Sequence, residues 1–83
     1  MEEAVGKVIK YFGKIGVAAI KMTSGELKVG DTIKIKGHST DFDQVVDSIQ
    51  VEHASVPTAG VGDEIGLKVK DKVHEHDVVY VVK

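Results

Sequence analysis

The sequence contains no cysteine among its 83 residues, and this absence excludes disulfide bonds and thiolate metal sites. A domain of this size without a covalent staple must be held together by packing alone. Arginine is absent as well: all 11 basic residues are lysine. Since arginine is the side chain best suited to bidentate phosphate contacts and base stacking, its absence argues against an autonomous nucleic-acid-binding domain.

The charge balance points the same way. The formal net charge is −2, whereas domains that grip phosphate backbones usually carry a basic excess that releases counterions on binding. Weak or partner-assisted RNA contact stays open.

Long apolar runs are missing too, since none approaches the ~20 residues needed to span a bilayer. The start, Met1–Ala4, is acidic where a secretory signal would be basic and then apolar. We therefore expect a cytoplasmic protein. An apolar share of 42% with 29% charged residues predicts one folded domain over residues 1–83, because the chain is too short for a second core.

Strand patterns cover the chain from end to end. The predicted strands are Val5–Phe12, Val17–Met22, Thr32–Lys36, Gln44–His53, Glu64–Lys70 and Val78–Val82. In the third strand Ile33 and Ile35 are predicted to face the core, and in the fourth strand Val45, Ile49 and Val51 are. No stretch shows a sustained 3.6-residue apolar period, so the predicted class is all-β.

Three strand entries share one turn chemistry. Gly30-Asp31 and Gly62-Asp63 each combine a glycine, which takes positive φ at little cost, with an aspartate that can bond nearby backbone. His76-Asp77 is predicted to be the same device, because histidine is enriched among non-glycine residues at positive φ.

Six strands joined by short turns predict a small closed barrel or a tightly packed sandwich, and a barrel is favoured because closure removes exposed edges. The last strand, Val78–Val82, is apolar on both faces. Either it is covered on both sides within the fold, or its outer face meets another subunit.

Several motifs resemble one family. Gly25–Gly37, with the sequence G-E-L-K-V-G-D-T-I-K-I-K-G, resembles the central motif of domain 2 of elongation factor Tu and its relatives. Val46–Gln50, Ala59–Leu67 and Glu75–Val79 resemble later motifs of that domain, in the same order. The whole chain is similar to small translation elongation factor-like proteins and to the barrel appended to collagenase-like peptidases.

The resemblance implies a six-stranded Greek-key barrel. It does not imply GTP hydrolysis, because the sequence lacks the G-x-x-x-x-G-K-[ST] phosphate loop. In the elongation factors the barrel contacts a GTPase domain and helps to hold the acceptor end of tRNA. The corresponding loop here, Phe12–Gly16, lacks the family's typical arginine, which speaks against RNA contact there.

A metal site is the first chemical alternative. His74 and His76 share a face if the chain is extended, with Glu75 and Asp77 beside them. No third ligand follows at a supporting spacing, so a polar turn is the simpler interpretation, and we predict no metal and no cofactor.

Catalysis is the second alternative. The serines lie outside any nucleophile-elbow context, and the paired carboxylates Asp41 and Asp43 are typical of an exposed acidic loop. We therefore predict that the domain is not an enzyme.

Two surface groups are candidates for binding. One is the loop carrying His38 and Phe42, where Phe42 can equally pack against the barrel end. The other is a set of lysines that would form a basic stripe if the first and fifth predicted strands lie side by side, with an aromatic ring to stack a base; its members are Lys7, Lys10, Tyr11, Lys14, Lys68 and Lys70. Alternating lysines on the wet face of each strand are the simpler explanation.

Two functional hypotheses follow. The first is a non-catalytic module near translation or RNA processing that binds a protein or RNA–protein partner. The second is a structural or accessory subunit that forms homodimers through Val78–Val82 or completes a separate peptidase-like enzyme.

Overall fold

The computed structural model describes residues 2–52 and 54–82, and within them it contains ten β-strands and no helix. The strands are β1 (Glu2–Phe12), β2 (Val17–Met22), β3 (Glu26–Lys28), β4 (Thr32–Lys36), β5 (Asp41–Val45), β6 (Ile49–Val51), β7 (Ala54–Val56), β8 (Thr58–Gly60), β9 (Glu64–Lys68) and β10 (Val78–Val82). The all-β class is confirmed. Within the described ranges no helical segment could cross a membrane.

Eight strands form one antiparallel sheet in the order β5-β4-β10-β1-β2-β9-β6-β7, and β3 pairs with β8 separately. The sheet curls so that β5 approaches the end of β9. There the side-chain amide of Gln44 donates to the Lys68 carbonyl at 2.8 Å and accepts from the Lys70 N–H at 2.9 Å. The amide thus imitates a peptide group and links β5 to the end of β9 and the residues just after it. The predicted barrel-like fold is confirmed, although the described residues form ten strands rather than six.

The barrel interior is filled by side chains that alternate inward along the strands. Ile33 and Ile35 in β4 are buried as predicted. The other large side chains that are almost fully buried are Val5, Val8, Ile20, Met22, Leu27, Val46, Ile49, Ile65, Leu67 and Val73. Each contributes about 1.5–3 kcal/mol by leaving water, and this packing holds a fold that has no disulfide.

Strand β10 lies between β1 and β4, so both of its edges are paired. Its alternate residues face the core, which accounts for half of its apolar composition. On its outer side, Lys34 and Lys36 both approach the Glu2 carboxylate, at 3.6 and 3.7 Å. Ion pairs therefore flank the outer face, and a homodimer through Val78–Val82 stays a prediction.

The predicted single strand Gln44–His53 is wrong in its extent. β5 ends at Val45, and the next strand begins only at Ile49; His53 lies outside the described residues. Val45 is 51% exposed rather than inward, while its neighbour Val46 is buried. The backbone of Val46 forms hydrogen bonds with Gly30 and Asp31 in another loop. A local alternation pattern cannot predict such a long-range contact.

Smaller differences concern strand ends. β1 begins at Glu2 and β9 ends at Lys68, while β3, β7 and β8 were not predicted. Each of these three strands has three residues, which is too short to show an alternation.

A turn of one geometry occurs three times, and the first copy spans residues 28–31 (the first Gly-Asp turn). Gly30 has φ 98°. The Asp31 carboxylate accepts the Lys28 N–H at 2.9 Å, and the Asp31 N–H donates back to the Lys28 carbonyl at 3.1 Å. Two further bonds of 2.8 Å fasten the turn to a buried residue: the Gly30 N–H donates to the Val46 carbonyl, and the Val46 N–H donates to the Asp31 carbonyl.

Residues 60–63 (the second Gly-Asp turn) and 74–77 (the His-Asp turn) repeat all four bonds. Gly62 has φ 92° and His76 has φ 75°. The buried residues that fasten them are Met22 and Val8. The prediction that His76 takes the place of a turn glycine is confirmed.

Candidate docking cleft on the outer barrel face

An apolar cleft lies on the outer face of β1, β2 and β9. Residues directly opposite each other on antiparallel strands share a face. Lys10 pairs with Ala19, and Ala19 pairs with Gly66, so this outward row contains two very small residues side by side. The small residues leave a depression between the strands, and they form its floor.

A β-bulge raises one wall of the cleft. The register of β1 against β2 shifts between Val8 and Lys10, which leaves Ile9 unpaired and turned outward. Ile9 and Phe12 are each 41% exposed, and Ile15 in the following turn is 64% exposed. With Val17 they line a cleft of about 400 Å³. Contiguous exposed apolar surface of this kind marks interaction sites.

The opposite rim is polar and acidic. It carries Gln50, Glu52 and Glu64, and the two glutamates are the only charged side chains that line the cleft within the described residues. Glu64 lies 3.9 Å from the Lys21 ammonium, and both side chains are largely exposed, so this ion pair is weak. Glu52 has no ion-pair partner among the described residues.

The predicted lysine stripe is interrupted, because β2 lies between β1 and β9. Lys7 faces Lys21 across β1 and β2, and Lys68 faces Val17 across β9 and β2. The condition for a continuous stripe, direct pairing of the two strands, is not met.

Three other residues of that set lie in β1 and the turn that follows it. Lys10 places its ammonium 5.2 Å from the centre of the Phe12 ring. Tyr11 packs against the core, and Lys14 is exposed in the turn after β1. RNA contact through these residues stays a prediction.

The loop between β4 and β5 brings the remaining candidates to the barrel end. His38 is exposed there. Phe42 is half-buried against the core, and the Lys70 ammonium lies 6.0 Å from its ring centre. Phe42 and Lys70 are therefore neighbours, and much of the Phe42 ring packs against the core.

A threonine, a histidine and an aspartate meet near the same end. The Thr40 hydroxyl lies 3.0 Å from His74 Nδ1, and the Asp77 carboxylate lies 3.9 Å from that same nitrogen. A catalytic triad places the nucleophile and the carboxylate on opposite ring nitrogens. Here both partners face Nδ1, so no proton relay results. The described residues contain no group of three or more metal-ligating side chains.

The apolar cleft itself was not predicted from the sequence. The sequence argues against RNA contact at the loop Phe12–Gly16 and indicates no other role for it, and its pattern places Ile9 in an ordinary strand. The available signal was the outward alternation of Val17 and Ala19 with Lys21, which makes β2 apolar on its outer side as well. The bulge and the neighbouring Gly66 become visible only in three dimensions.

The family model for elongation factor Tu domain 2 matches residues 16–81. An uncharacterized protease of Methanocaldococcus jannaschii is 39% identical over 80 residues, which are 95% of this chain and 19% of the protease. A collagenase of Porphyromonas gingivalis is 44% identical over 77 residues, which are 92% of this chain and 21% of the collagenase. The chain thus spans about a fifth of the length of these curated relatives.

Among solved structures, the C-terminal domain of a candidate U32 peptidase from Geobacillus thermoleovorans superposes with a TM-score of 0.90. The match covers 98% of this chain and 93% of that domain at 21% identity, so it concerns the fold. A selenomethionine variant of the same domain gives a TM-score of 0.87, with 22% identity over 93% of this chain and 96% of that one. The resemblances to the elongation factor barrel and to the barrel of collagenase-like peptidases are confirmed.

Proposed function

This chain belongs to the elongation factor Tu domain 2 family, and we propose that it acts as a non-catalytic accessory barrel of a peptidase-like protein. The observation that carries the proposal is the pattern of coverage. Nearly the whole chain matches a region that makes up only 19–21% of proteins named protease and collagenase. A small domain beside a much larger peptidase-like portion is suited to support or position that portion.

The chemistry of the barrel supports the non-catalytic part of the proposal. The Thr40, His74 and Asp77 side chains meet with the wrong ring geometry for a relay. Among the described residues, the outer cleft is lined by apolar groups, Gln50 and two glutamates, without a serine, threonine, histidine or lysine. The barrel therefore offers surfaces for docking rather than groups for bond cleavage, and hydrolysis would belong to the remainder of the protein.

The role in translation that the family name suggests has weaker support. The relatives are named protease and collagenase, and β2 separates the lysines of β1 from Lys68 of β9. A titration against tRNA at physiological salt separates the two roles: binding at micromolar concentration or tighter would favour translation.

The direct test mixes the purified chain with the peptidase-like portion of such a protein. The M. jannaschii protease with its matching region removed serves as that portion. We expect binding in calorimetry and a change in hydrolysis of fluorescent gelatin when the barrel is added. Gelatin hydrolysis by the barrel alone, or no association with the peptidase-like portion, would overturn the proposal.

A further inference from the structure

We propose that the cleft on the outer face of β1, β2 and β9 binds a basic amphipathic segment of the peptidase-like portion. One apolar side chain of that segment would enter the cleft over Ala19 and Gly66, and a neighbouring lysine or arginine would face Glu52 and Glu64. This inference rests on the proposed function and names the surface and the partner chemistry through which docking occurs.

The shape of the cleft suits an apolar side chain. Its floor consists of a methyl group and a glycine, and its wall consists of Ile9, Phe12 and Ile15, which remain 41–64% exposed. These side chains would leave water if an apolar side chain entered between them, and that burial drives association. A volume of about 400 Å³ is large enough for a leucine or an aromatic ring with its backbone.

The charge of the rim selects the partner. Within the described residues, both charged side chains that line the cleft are carboxylates. Among the described residues, the ion pair of Glu64 is a long, exposed contact with Lys21, and Glu52 has no ion-pair partner. A phosphate backbone would be repelled at this rim, whereas a lysine or arginine next to an apolar anchor would be complementary.

The backbone at Glu52 adds an independent observation. Glu52 follows β6 with φ 50°, a conformation that favours glycine or asparagine in short hairpin connections. Glutamate at such a position is disfavoured for folding, and strained positions of this kind often serve a site. This residue also lines the cleft, and it has no ion-pair partner among residues 2–52 and 54–82.

The test fills the cleft without disturbing the fold. A Cβ at Gly66 would approach Val17 Cγ1 at 3.5 Å, an ordinary contact, so Gly66→Val places its methyl groups in the cleft. Gly60→Val is the matched control, because a Cβ at Gly60 has no atom within 4 Å and Gly60 does not line the cleft. For charge, Glu52→Lys is compared with Glu26→Lys, which changes an exposed residue of β3. Urea midpoints identify any variant that fails to fold.

Calorimetry against the barrel-deleted M. jannaschii protease measures the effect. We expect Gly66→Val to weaken binding about tenfold or more, as for a hot-spot position. Glu52→Lys should weaken it roughly three- to tenfold, and this loss should shrink at about 0.5 M salt. Both controls should bind within about twofold of the unchanged chain.

The outcomes separate the two proposals. If the unchanged chain binds and folded Gly66→Val and Glu52→Lys bind equally well, docking uses another face, and this inference is overturned while the accessory role stands. If the unchanged chain does not bind, the accessory role is overturned, and the cleft assignment is overturned with it.

Discussion

The two Gly-Asp turns and the His-Asp turn have the same four hydrogen bonds in different surroundings. In the glycine turns, the space around Gly30 and Gly62 is open, and the aspartates lie near the surface. In the His-Asp turn, Asp77 is only 4% exposed and packs directly against Gly37. All three turns therefore attach to the barrel by the same hydrogen bonds, and we expect the contribution of each turn to stability to depend on how deeply it is buried.

Asp77 is more buried than the other two aspartates because of how the chain folds at this end of the barrel. The hairpin between β4 and β5 folds over the His-Asp turn, where the buried Thr40 hydroxyl lies 3.0 Å from His74 Nδ1. The equivalent aspartates of the other two turns are less covered, since Asp31 is half-buried and Asp63 is exposed. Buried hydrogen bonds are costlier to lose than exposed ones, because no water replaces the missing partner. The His-Asp turn should therefore dominate the stability of this motif.

The largest expected effect comes from Gly37→Ala. The added methyl group would overlap the Asp77 carboxylate, which is short, buried and bonded to the His74 N–H. We expect a loss of about 3 kcal/mol in the free energy of unfolding, measured by urea denaturation. Gly60→Ala is the control, since its methyl group meets no atom within 4 Å. Equal losses for the two variants would show that the barrel end yields freely.

Removing each aspartate compares the turns directly. Asp77→Ala removes the acceptor that lies 2.8 Å from the His74 nitrogen in a partly buried hydrogen bond. We therefore expect a loss of about 2 kcal/mol in the free energy of unfolding. Asp31→Ala and Asp63→Ala remove bonds of similar length at exposed positions, and each should cost about 0.5–1 kcal/mol. Thermal and urea unfolding of all three variants give the ranking. Three equal losses would contradict the role assigned to burial.

A third effect isolates the backbone. Gly30→Ala and Gly62→Ala meet no steric obstacle, so their cost reflects positive φ alone. We expect about 1 kcal/mol for each in urea unfolding. A stabilisation by either alanine would mean that the turn can leave the left-handed region without losing its bonds.

The smallest effect should have the opposite sign. His76→Gly relieves a non-glycine residue at φ 75° but makes the unfolded chain more flexible. We expect a net gain of about 0.5 kcal/mol. His38→Gly, at an exposed histidine without positive φ, should bring no gain. If both substitutions destabilise the protein equally, the His76 side chain stabilises the fold by more than its positive φ destabilises it.

Much of the fold could be predicted because its signals are local. The alternation of Ile33 and Ile35 identified β4, and the spacing of glycine and aspartate identified the turns, including the one with His76. Val46 could not be placed, because its inward position depends on bonds to the Gly30-Asp31 backbone across the barrel. A pattern of neighbours in sequence carries no information about such a contact.

The candidate site was less predictable than the fold. The lysines were visible in the sequence, but their grouping required β1 and β9 to be neighbours, and β2 separates them. The cleft depends on an unpaired Ile9 at a bulge and on Ala19 and Gly66 meeting in one row. Small residues on different strands form a depression only when the register aligns them.

By itself, the sequence determined the all-β class, the turn chemistry, the family and the absence of thiol chemistry, because each follows from residue types at short spacing. The tertiary structure alone decided which of the three turns is buried and where apolar side chains remain exposed. It also decided that Glu52 and Glu64 line the cleft beside that apolar surface. These features depend on strand order and register, which bring together residues distant in the chain.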